Sequence, residues 1–565
     1  MGKQSRISGA RIVIETLIEQ GVTDIFGYPG SMVLDIYDEL YKAKDRINHY
    51  ITAHEQGAAH AADGYARATG RVGVVLATSG PGATNLVTGI ATAMLDSVPM
   101  VAITGNVATS MIGRDSFQEI NITGITMPIT KHNYFVSDIS ELADTIREAF
   151  RIAKSGRPGP VLVDIPKDVQ LAMYPFEKQA PVKQLTHKEA DPATVEEAVR
   201  IINAAKRPYI YIGGGAAFAG LGERIKELAE RIDAYIGCTL MGLSAIETSY
   251  NRFLGLQGMH GLYASSMANK EADVVIGLGI RFSDRATGNI YKYKTSAKII
   301  QLDIDQAEIN KNVSVDVGVI GDIVDSFERI AAGCEKREHP EWGRMIAGFK
   351  AKGKEIGRIA ENTKGDGISP KMIFNVINEN KGSDCILTTD VGQHQMWAAQ
   401  YSSLDSPRHF ISSGGLGTMG YGMGAACGAA IAGNRVLLIT GDGSFAMNLN
   451  ELVTAVSYNL PVTVVIMNNT ALGLVRQWQT LFFDKRYAYT EFERRTDFVK
   501  VAEGFGVPGV RVTDINAFAK AFKKAMKTDG PYLIDACIDR DEFVLPMLPP
   551  NGTMDDLITT KGRKK

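Results

Sequence analysis

Short runs of apolar, often β-branched residues recur along the chain, and glycine and then a helix-like stretch follow several of them. Examples are VGVVLAT at 72–78, YIYIGGG at 209–215 and RVLLITG at 435–441. Strand, tight turn and helix in repetition is the sequence form of a parallel sheet with crossover helices. The predicted strands lie at 23–28, 49–52, 72–78, 100–105, 159–166, 209–215, 272–279, 297–305, 384–390, 435–441, 462–468 and 531–538.

These runs fall into three blocks, so the pattern predicts an α/β protein with three doubly wound parallel-sheet domains. A polar stretch with three prolines at 170–193 is typical of a linker, and a charged helical stretch at 335–364 separates the second block from the third. The predicted domains are 1–175, 194–340 and 368–548, with a C-terminal tail at 549–565.

Composition narrows the class of protein. The 565 residues carry 61 Lys and Arg against 63 Asp and Glu, and a net charge of -2 gives no positive field for a nucleic acid partner. No apolar run is long enough to span a membrane, and no signal peptide is recognised at the start. Five widely spaced cysteines without a CxxC motif indicate buried thiols in a reducing compartment, so we expect a cytoplasmic protein.

The strongest local signal lies at 437–473. One strand ends at Gly441-Asp442-Gly443, a helix is predicted over about 447–458, and a second strand ends at Asn468-Asn469. A right-handed crossover brings both strand ends to one edge of the sheet, which places Asp442 beside Asn469. The glycines let the backbone approach an anion, and carboxylate and amide oxygens suit Mg²⁺ bound to a phosphate. The alternative is that GDG and NN are ordinary turns.

GDG at this spacing from NN resembles the thiamine diphosphate motif, and the resemblance extends over nearly the whole chain. It implies a pyrimidine-binding first domain, an FAD-type central domain and a third domain that binds diphosphate and Mg²⁺. Asp442, Asn469 and the carbonyl of Ala471 would hold the metal, and Met419 would keep the thiamine bent. The residues implied to contact this cofactor are Gly392, Gln393, His394, Met419, Gly441, Asp442, Gly443, Ser444 and Asn469.

Thiamine diphosphate becomes a nucleophile only when its C2 proton is lost, and the family's solution is a carboxylic acid facing N1′ of the aminopyrimidine. Glu55 matches this catalytic glutamate in its sequence context, with SGPGATN following at 79–85. Taken alone, Glu55 is equally a helix-capping carboxylate. In the family the pyrimidine and diphosphate sites face each other from different subunits, so the resemblance implies a homodimer or a tetramer.

Within this superfamily the chain resembles the large catalytic subunit of biosynthetic acetohydroxyacid synthase, also called acetolactate synthase. The family reaction decarboxylates pyruvate on thiamine and adds the hydroxyethyl unit to a second pyruvate or to 2-ketobutyrate, the first common step of branched-chain amino acid biosynthesis. A small regulatory subunit is also common in this family. The resemblance is carried by the stretches 113–136, 257–289, 472–479 and 544–558.

The resemblance also implies substrate roles. Arg285 would bind the acceptor carboxylate and Trp478 would favour 2-ketobutyrate, while Phe117, Gln118 and Lys167 match other pocket positions. Without the surrounding match, Arg285 would be read as part of a surface ion pair and Trp478 as a half-buried anchor.

Glycine-rich loops of the central block match the FAD-contacting loops of the family, although close helix packing explains glycine clusters equally well. The residues implied for FAD are Gly214, Gly215, Met259, His260, Gly279, Arg281 and Asp303.

The chain departs from the family pattern at Ser31, Ser283 and Leu474, where the family usually has glycine, aspartate and methionine. Two other enzymatic interpretations are an FAD-independent, catabolic acetolactate synthase and a thiamine enzyme of the pyruvate oxidase or decarboxylase kind. A non-enzymatic scaffold or partner subunit is the third alternative.

Overall fold

A computed structural model gives the fold and describes residues 6–183, 189–293, 297–361, 367–493 and 496–560. Residues 561–565 of the predicted tail lie outside this part of the chain. Three six-stranded sheets follow one another along the sequence, and every strand pairing within them is parallel. The predicted fold class is therefore confirmed.

The first sheet has the strand order β3-β2-β4-β5-β7-β6, and a separate antiparallel pair joins β1 to β8 at the beginning of the predicted linker. The strands are β1 (Arg6–Ser8), β2 (Asp24–Gly27), β3 (Asn48–Ile51), β4 (Gly73–Ala77), β5 (Met100–Asn106), β6 (His132–Phe135), β7 (Pro160–Pro166) and β8 (Met173–Pro175). The helices are α1 (Gly9–Glu19), α2 (Leu34–Lys42), α3 (Glu55–Thr69), α4 (Pro81–Asn85), α5 (Val87–Asp96), α6 (Ile122–Thr126), α7 (Ile139–Lys154) and α8 (Lys167–Leu171).

The central sheet has the order β11-β10-β9-β12-β13-β14, which is that of dinucleotide-binding folds. Its strands are β9 (Pro208–Ile212), β10 (Tyr235–Cys238), β11 (Phe253–Leu256), β12 (Val274–Leu278), β13 (Lys298–Asp303) and β14 (Val317–Ile320). The helices are α9 (Pro192–Asn203), α10 (Gly214–Phe218), α11 (Gly222–Arg231), α12 (Tyr263–Glu271), α13 (Asp284–Thr287), α14 (Ile290–Tyr293), α15 (Ile323–Gly333) and α16 (Pro340–Glu361).

The third sheet, β16-β15-β17-β18-β20-β19, repeats the topology of the first. Its strands are β15 (Ile386–Thr389), β16 (Phe410–Ile411), β17 (Val436–Gly441), β18 (Val462–Asn468), β19 (Gly509–Val512) and β20 (Tyr532–Cys537). The helices are α17 (Pro370–Asn380), α18 (Gln393–Tyr401), α19 (Tyr421–Ile431), α20 (Asp442–Asn448), α21 (Leu452–Ser457), α22 (Gly473–Phe482), α23 (Phe498–Gly504) and α24 (Ile515–Ala525).

Seven short 3₁₀ turns complete the described secondary structure: Ser31–Val33, Thr109–Met111, Met127–Ile129, Leu240–Gly242, Gln306–Glu308, Leu449–Glu451 and Met554–Asp556. Across the described ranges, no helix has both the length and the apolar character needed to cross a membrane.

The helix predicted over about 447–458 differs from the structure in its start and its continuity. α20 begins at Asp442, directly after β17, and a 3₁₀ turn at Leu449–Glu451 separates it from α21. Gly441 has an extended backbone and precedes the first helical residue, so the chain passes at once from strand to helix. The apolar pattern alone did not reveal this early start.

Helices α3 and α19 pack closely and join the first domain to the third. Both are rich in glycine and alanine, and a methyl group added at Gly64 or Gly428 would lie 2.1 Å or 1.9 Å from a carbonyl oxygen of the facing helix. The backbones approach so closely because these positions carry no side chain.

A buried ionic network lies beside this helix contact. Arg67 of α3 pairs with Asp63 at 2.6 Å and with Asp96 at 2.9 Å, and it donates to the carbonyl oxygen of Ser412 at 3.0 Å. The Tyr421 hydroxyl of α19 donates to Asp63. Because each charge is paired, removing one partner would leave an uncompensated buried charge.

We expect Gly428→Ala to destabilise the protein, because its methyl group overlaps the carbonyl oxygen of Ala61. Overpacking of this kind costs about 1–3 kcal/mol. The control is Gly348→Ala in α16, where an added methyl meets nothing within 4 Å. Alanine is favoured over glycine inside a helix, so the control should leave the thermal unfolding midpoint unchanged or raise it. A Gly428→Ala midpoint at or above that of the unmodified protein would contradict the packing account.

Candidate active site

The carboxyl ends of β17 and β18 bring together two residues that lie far apart in sequence. These strands are neighbours, and Gly441 pairs with Met467 at the end of the shared ladder. Asp442 and Asn469 follow directly, both are buried, and both line one cavity. The structure therefore places the two predicted metal ligands on one edge of the sheet.

The turn after β18 orients its polar groups. Thr470 has a left-handed backbone with φ 54°, and the Ala471 amide donates to Asn469 Oδ1 at 3.1 Å. Asn469 Nδ2 donates to Gln393 Oε1 at 3.2 Å, which fixes the amide's orientation. One carboxylate, one amide oxygen and the Ala471 carbonyl are hard oxygen donors of the kind Mg²⁺ prefers when phosphates complete its coordination. The donor set fits that ion.

The second part of this edge follows β15. β15 is flanked by β16 and β17, so its carboxyl end lies at the switch point where parallel sheets bind ligands. Gly392 has φ 154°, and a side chain at Gly441 would lie 2.8 Å from His394 Nδ1. His394 is buried, its Nε2 has no hydrogen-bond partner in the structure, and burial lowers its pKa to about 3. A neutral imidazole with an unsatisfied nitrogen beside two glycines fits a polar ligand at this place.

The loop that carries Met419 is held by buried groups of the same sheet. The Gly420 amide donates to Asp390 Oδ1 at 2.8 Å and to Ser444 Oγ at 3.3 Å. Asp390 is fully buried, which raises its pKa, while hydrogen bonds from Ser444 and Gly420 act in the opposite direction. Met419 itself is half-buried. The sequence pattern assigned no role to Asp390, although its position directly after β15 is a signal that could have found it.

Glu55 is the first residue of α3. The helix is capped by the side chain of His54, which accepts from the Gln56 amide, so Glu55 does not serve as the cap. Its carboxylate accepts from Asn85 Nδ2 at 3.0 Å, and a side chain at Gly82 would lie 3.2 Å from its other oxygen. Glu55 is half-buried, and these neighbours belong to the first domain.

Glu451 of the third domain holds the backbone just before Glu55, a contact that sequence reasoning missed. Its carboxylate accepts from the amides of Ala53 and His54 at 3.2 and 3.1 Å and from the Thr454 hydroxyl. Any side chain at Gly57 would overlap it. Burial raises the pKa of Glu451, and the hydrogen bonds partly counteract that effect. The pattern around Glu451 predicted only a helix, and no neighbouring residue in the sequence indicated this contact.

The other predicted pocket residues of the first domain lie around Ser31. Ser31 Oγ donates to Gln118 Oε1 at 3.5 Å, and Lys167 Nζ donates to the Ser31 carbonyl at 3.2 Å. Lys167 also pairs with Asp35 at 2.5 Å. Phe117 is 80% exposed, which is unusual for a phenylalanine and leaves its ring open to a covering surface.

Arg285 and Trp478 meet although they belong to different domains. The Arg285 guanidinium lies 5.8 Å from the Trp478 ring centroid, within the range of a cation–π contact. The Arg285 carbonyl accepts from the Met259 amide at 2.8 Å. Arg285 also pairs with Asp284 at 3.2 Å, and Trp478 packs edge-on against Phe482. Arg285 thus forms the ion pair and Trp478 the packing contact that were the alternative interpretations, and the two side chains also contact each other.

The predicted flavin glycines lie at the switch point of the central sheet, where β9 and β12 are neighbours. The loop after β9 meets Gly279 after β12, where a side chain at Gly215 would lie 2.8 Å from Gly279 Cα. Gly279 has φ 57°, so close packing accounts for these two glycines. A side chain at Gly214 would meet only Met241, at 3.2 Å. Close packing therefore does not require this third glycine.

The polar residues predicted for flavin lie at or after the carboxyl ends of β11, β12 and β13. His260 is buried, its Nδ1 has no partner in the structure, and burial lowers its pKa to about 4. Asp303 ends β13, and burial raises its pKa to about 6. Arg281 donates to the carbonyl oxygen of Leu95 in the first domain at 2.6 Å. Ser283, one of the departures from the family pattern, precedes α13 as its N-cap residue. The unsatisfied Nδ1 of His260 fits a polar ligand.

Comparison with known proteins identifies the class. Models of the thiamine pyrophosphate enzymes match residues 7–125 as the N-terminal TPP binding domain, 195–330 as the central domain and 390–536 as the C-terminal TPP binding domain. The fold, the polar carboxyl edge of the third sheet and these matches thus define a thiamine pyrophosphate (thiamine diphosphate) enzyme.

Similar proteins of known name show to which family of thiamine diphosphate enzymes the chain belongs. The chain is 44% identical to the acetolactate synthase of Arthrospira platensis, over 98% of each protein. It is 42% identical to the acetolactate synthase isozyme 2 large subunit of Escherichia coli (strain K12), over 98% of this chain and 99% of that protein. It is 42% identical to the chloroplastic acetolactate synthase 1 of Zea mays, over 97% and 88%. The chain belongs to the acetolactate synthase family, which confirms the resemblance read from the sequence.

We expect Glu451→Gln to lower kcat about tenfold with little change in KM, because loss of one accepting oxygen loosens the backbone that carries Glu55. Steady-state rates of acetolactate formation test this. Glu503→Gln, an exposed glutamate on α23, is the matched control and should leave kcat unchanged. A Glu451→Gln enzyme with unaltered kcat would show that Glu451 does not position Glu55.

Proposed function

We propose that this chain is the catalytic subunit of a biosynthetic acetolactate synthase that uses thiamine diphosphate, Mg²⁺ and FAD. It converts two pyruvate molecules to 2-acetolactate, or pyruvate and 2-ketobutyrate to 2-aceto-2-hydroxybutyrate. When bound, thiamine diphosphate would supply the nucleophilic carbon that allows the first ketoacid to lose CO₂ and its remaining two-carbon unit to pass to the second. The observation that carries the proposal is the meeting of Arg285 and Trp478, an acceptor site of one cation and one flat apolar face.

The third domain would hold the cofactor's diphosphate. Asp442, Asn469 and the Ala471 carbonyl would bind Mg²⁺, while Ser444 and the loop at 392–394 would surround the phosphates. Asp442 begins α20, so the positive end of the helix dipole would also favour an anion there. Met419, on a loop held by Asp390, would support the cofactor.

Glu55 would hold a proton opposite the aminopyrimidine and allow it to move when C2 is deprotonated. Asn85 donates to its carboxylate and keeps it in place. The diphosphate edge belongs to the third domain and Glu55 to the first, and the family resemblance supports the assignment of one complete site to two copies of the chain. The active unit would be a homodimer or a dimer of dimers, in which the second copy would cover the exposed ring of Phe117.

Arg285 would bind the carboxylate of the acceptor ketoacid, with Trp478 against its alkyl chain. Gln118 and Lys167 complete the pocket from the first domain, where the Ser31 hydroxyl contacts Gln118. FAD lies at the switch point of the central sheet, near His260, Met259, Arg281, Gly214, Gly215, Gly279 and Asp303.

The proposal includes two features of cellular context. Relatives named as large subunits suggest a small regulatory partner for this chain. The five cysteines are free thiols, four of them buried, in keeping with a cytoplasmic location.

The decisive assay measures acetolactate formed from pyruvate by the purified protein with thiamine diphosphate and Mg²⁺, with and without FAD. We expect FAD-dependent product and a shift to 2-aceto-2-hydroxybutyrate when 2-ketobutyrate is added. Product without FAD would favour the catabolic type, and acetaldehyde or acetate as the main product would contradict carboligation.

Trp478→Leu should lower the ratio of 2-aceto-2-hydroxybutyrate to acetolactate in the competition assay. Removal of the apolar face that contacts one extra methylene changes such a preference by roughly 10-fold or more. Val475→Ala, an exposed position on the same helix, serves as the control with an unchanged ratio. Equal product ratios in the Trp478→Leu enzyme and the unmodified enzyme would remove Trp478 from the acceptor site.

Glu55→Gln should abolish turnover and leave thiamine diphosphate binding intact, because glutamine still accepts from Asn85 but does not donate and regain the catalytic proton. Turnover and cofactor binding by calorimetry are measured on the same preparation. Activity equal to that of the unmodified enzyme would refute the role of Glu55.

A further inference from the structure

A series of hydrogen-bonded, buried side-chain amides begins at the diphosphate edge, which is the carboxyl edge of the third sheet, and leads away from it. Asn469 Nδ2 donates to Gln393 Oε1 at 3.2 Å, and Gln393 Nε2 donates to Gln477 Oε1 at 2.9 Å. All three side chains are buried. Gln477 precedes Trp478 on α22, yet it makes none of the contacts assigned above to substrate or cofactor.

The chain of amides ends on residues 542–548, which we term the C-terminal arm. Gln477 Oε1 also accepts from the Val544 amide at 2.9 Å, and Gln477 Nε2 donates to the Val544 carbonyl at 3.1 Å. Gln393 Nε2 donates to the Glu542 carbonyl at 2.7 Å. Gln477 therefore uses both its donor and its acceptor on the arm, a pairing that neither a carboxylate nor an apolar side chain reproduces.

The C-terminal arm in turn contacts the loop proposed to bind flavin. The Leu548 amide donates to the Met259 carbonyl at 2.7 Å. Gln400 Nε2 donates to the His260 carbonyl at 2.9 Å and to the Leu545 carbonyl at 3.4 Å. The arm thus bridges the amides of the third domain and the backbone of the central domain.

We propose that Gln477 is a positioning residue that couples the diphosphate–metal site to the flavin loop through the C-terminal arm. The inference rests on the proposed function, since it assumes that Asn469 binds Mg²⁺ and that Met259 and His260 border FAD. A metal on Asn469 Oδ1 would further restrain the amide that Gln393 already orients, and the hydrogen bonds through Gln393 and Gln477 would pass that restraint to the arm. A more ordered arm presents the Met259–His260 backbone in one conformation, so each cofactor tightens the binding of the other.

The test measures the Kd of FAD by flavin fluorescence on the full-length protein, with and without thiamine diphosphate and MgCl₂. In the unmodified protein we expect the pair to tighten FAD binding about 5-fold or more. Gln477→Leu should reduce this factor to below about twofold while FAD still binds. Gln479→Leu is the matched control, since Gln479 lies on the same helix but hydrogen-bonds to Ala488 and Thr490 and should retain the full factor.

Hydrogen exchange gives a second measurement on the unmodified protein, which is informative even if Gln477→Leu does not fold. Thiamine diphosphate with MgCl₂ should slow exchange of the Val544 and Leu548 amides, which are the donors at the two ends of the bridge. An unchanged exchange rate would overturn the inference.

The outcomes separate the inference from the function on which it rests. FAD binding with the same Kd in the presence and absence of the thiamine cofactor would overturn the coupling and leave the flavin site standing. Full coupling in Gln477→Leu would overturn the role of Gln477. A complete absence of FAD binding by the unmodified protein would overturn both the coupling and the proposed flavin site.

Discussion

The close packing of α3 against α19 is the constraint on which the rest of the site depends. It requires helix faces without side chains at Gly64 and Gly428, and it places the buried Arg67 network between the first and third domains. The same contact brings Glu451 under the backbone that carries Glu55. The third domain thus holds the backbone that precedes the candidate catalytic carboxylate, while Asn85 of the first domain holds the carboxylate itself.

The three sheets divide the chemistry because parallel strands present their carboxyl ends on one edge. The first and third sheets share one strand order, yet the loops of the first carry Glu55, while the loops of the third carry the residues proposed to bind metal and phosphate. The central sheet has the strand order of dinucleotide-binding folds, and its domain carries Arg285, which contacts Trp478 of the third domain. Function therefore resides in the loops, while the sheets only set their relative positions.

The sequence predicted most interior strands, because strands buried on both faces are almost continuously apolar. It missed β10 inside the central sheet and the edge strands β6, β11, β14, β16 and β19, which have two to four residues each, and it also missed the antiparallel pair of β1 and β8. The meeting of Asp442 with Asn469 followed from crossover topology alone. Glu451 and Gln477 could not be assigned in this way, because their roles depend on partners that are remote in sequence or lie in another domain, and such contacts leave no local pattern. The flavin glycines remained ambiguous because close packing and ligand approach both favour glycine.

Subunit mixing tests the central claim most directly, namely that Glu55 of one copy acts with Asp442 of another. Glu55→Gln and Asp442→Asn chains, each inactive alone, are unfolded together, refolded and assayed for acetolactate formation. Random pairing makes half of the dimers mixed, each with one intact site of two, so the account predicts about a quarter of the unmodified activity. No activity above that of the separate variants, from mixed dimers shown to have formed, would contradict a site shared between two copies.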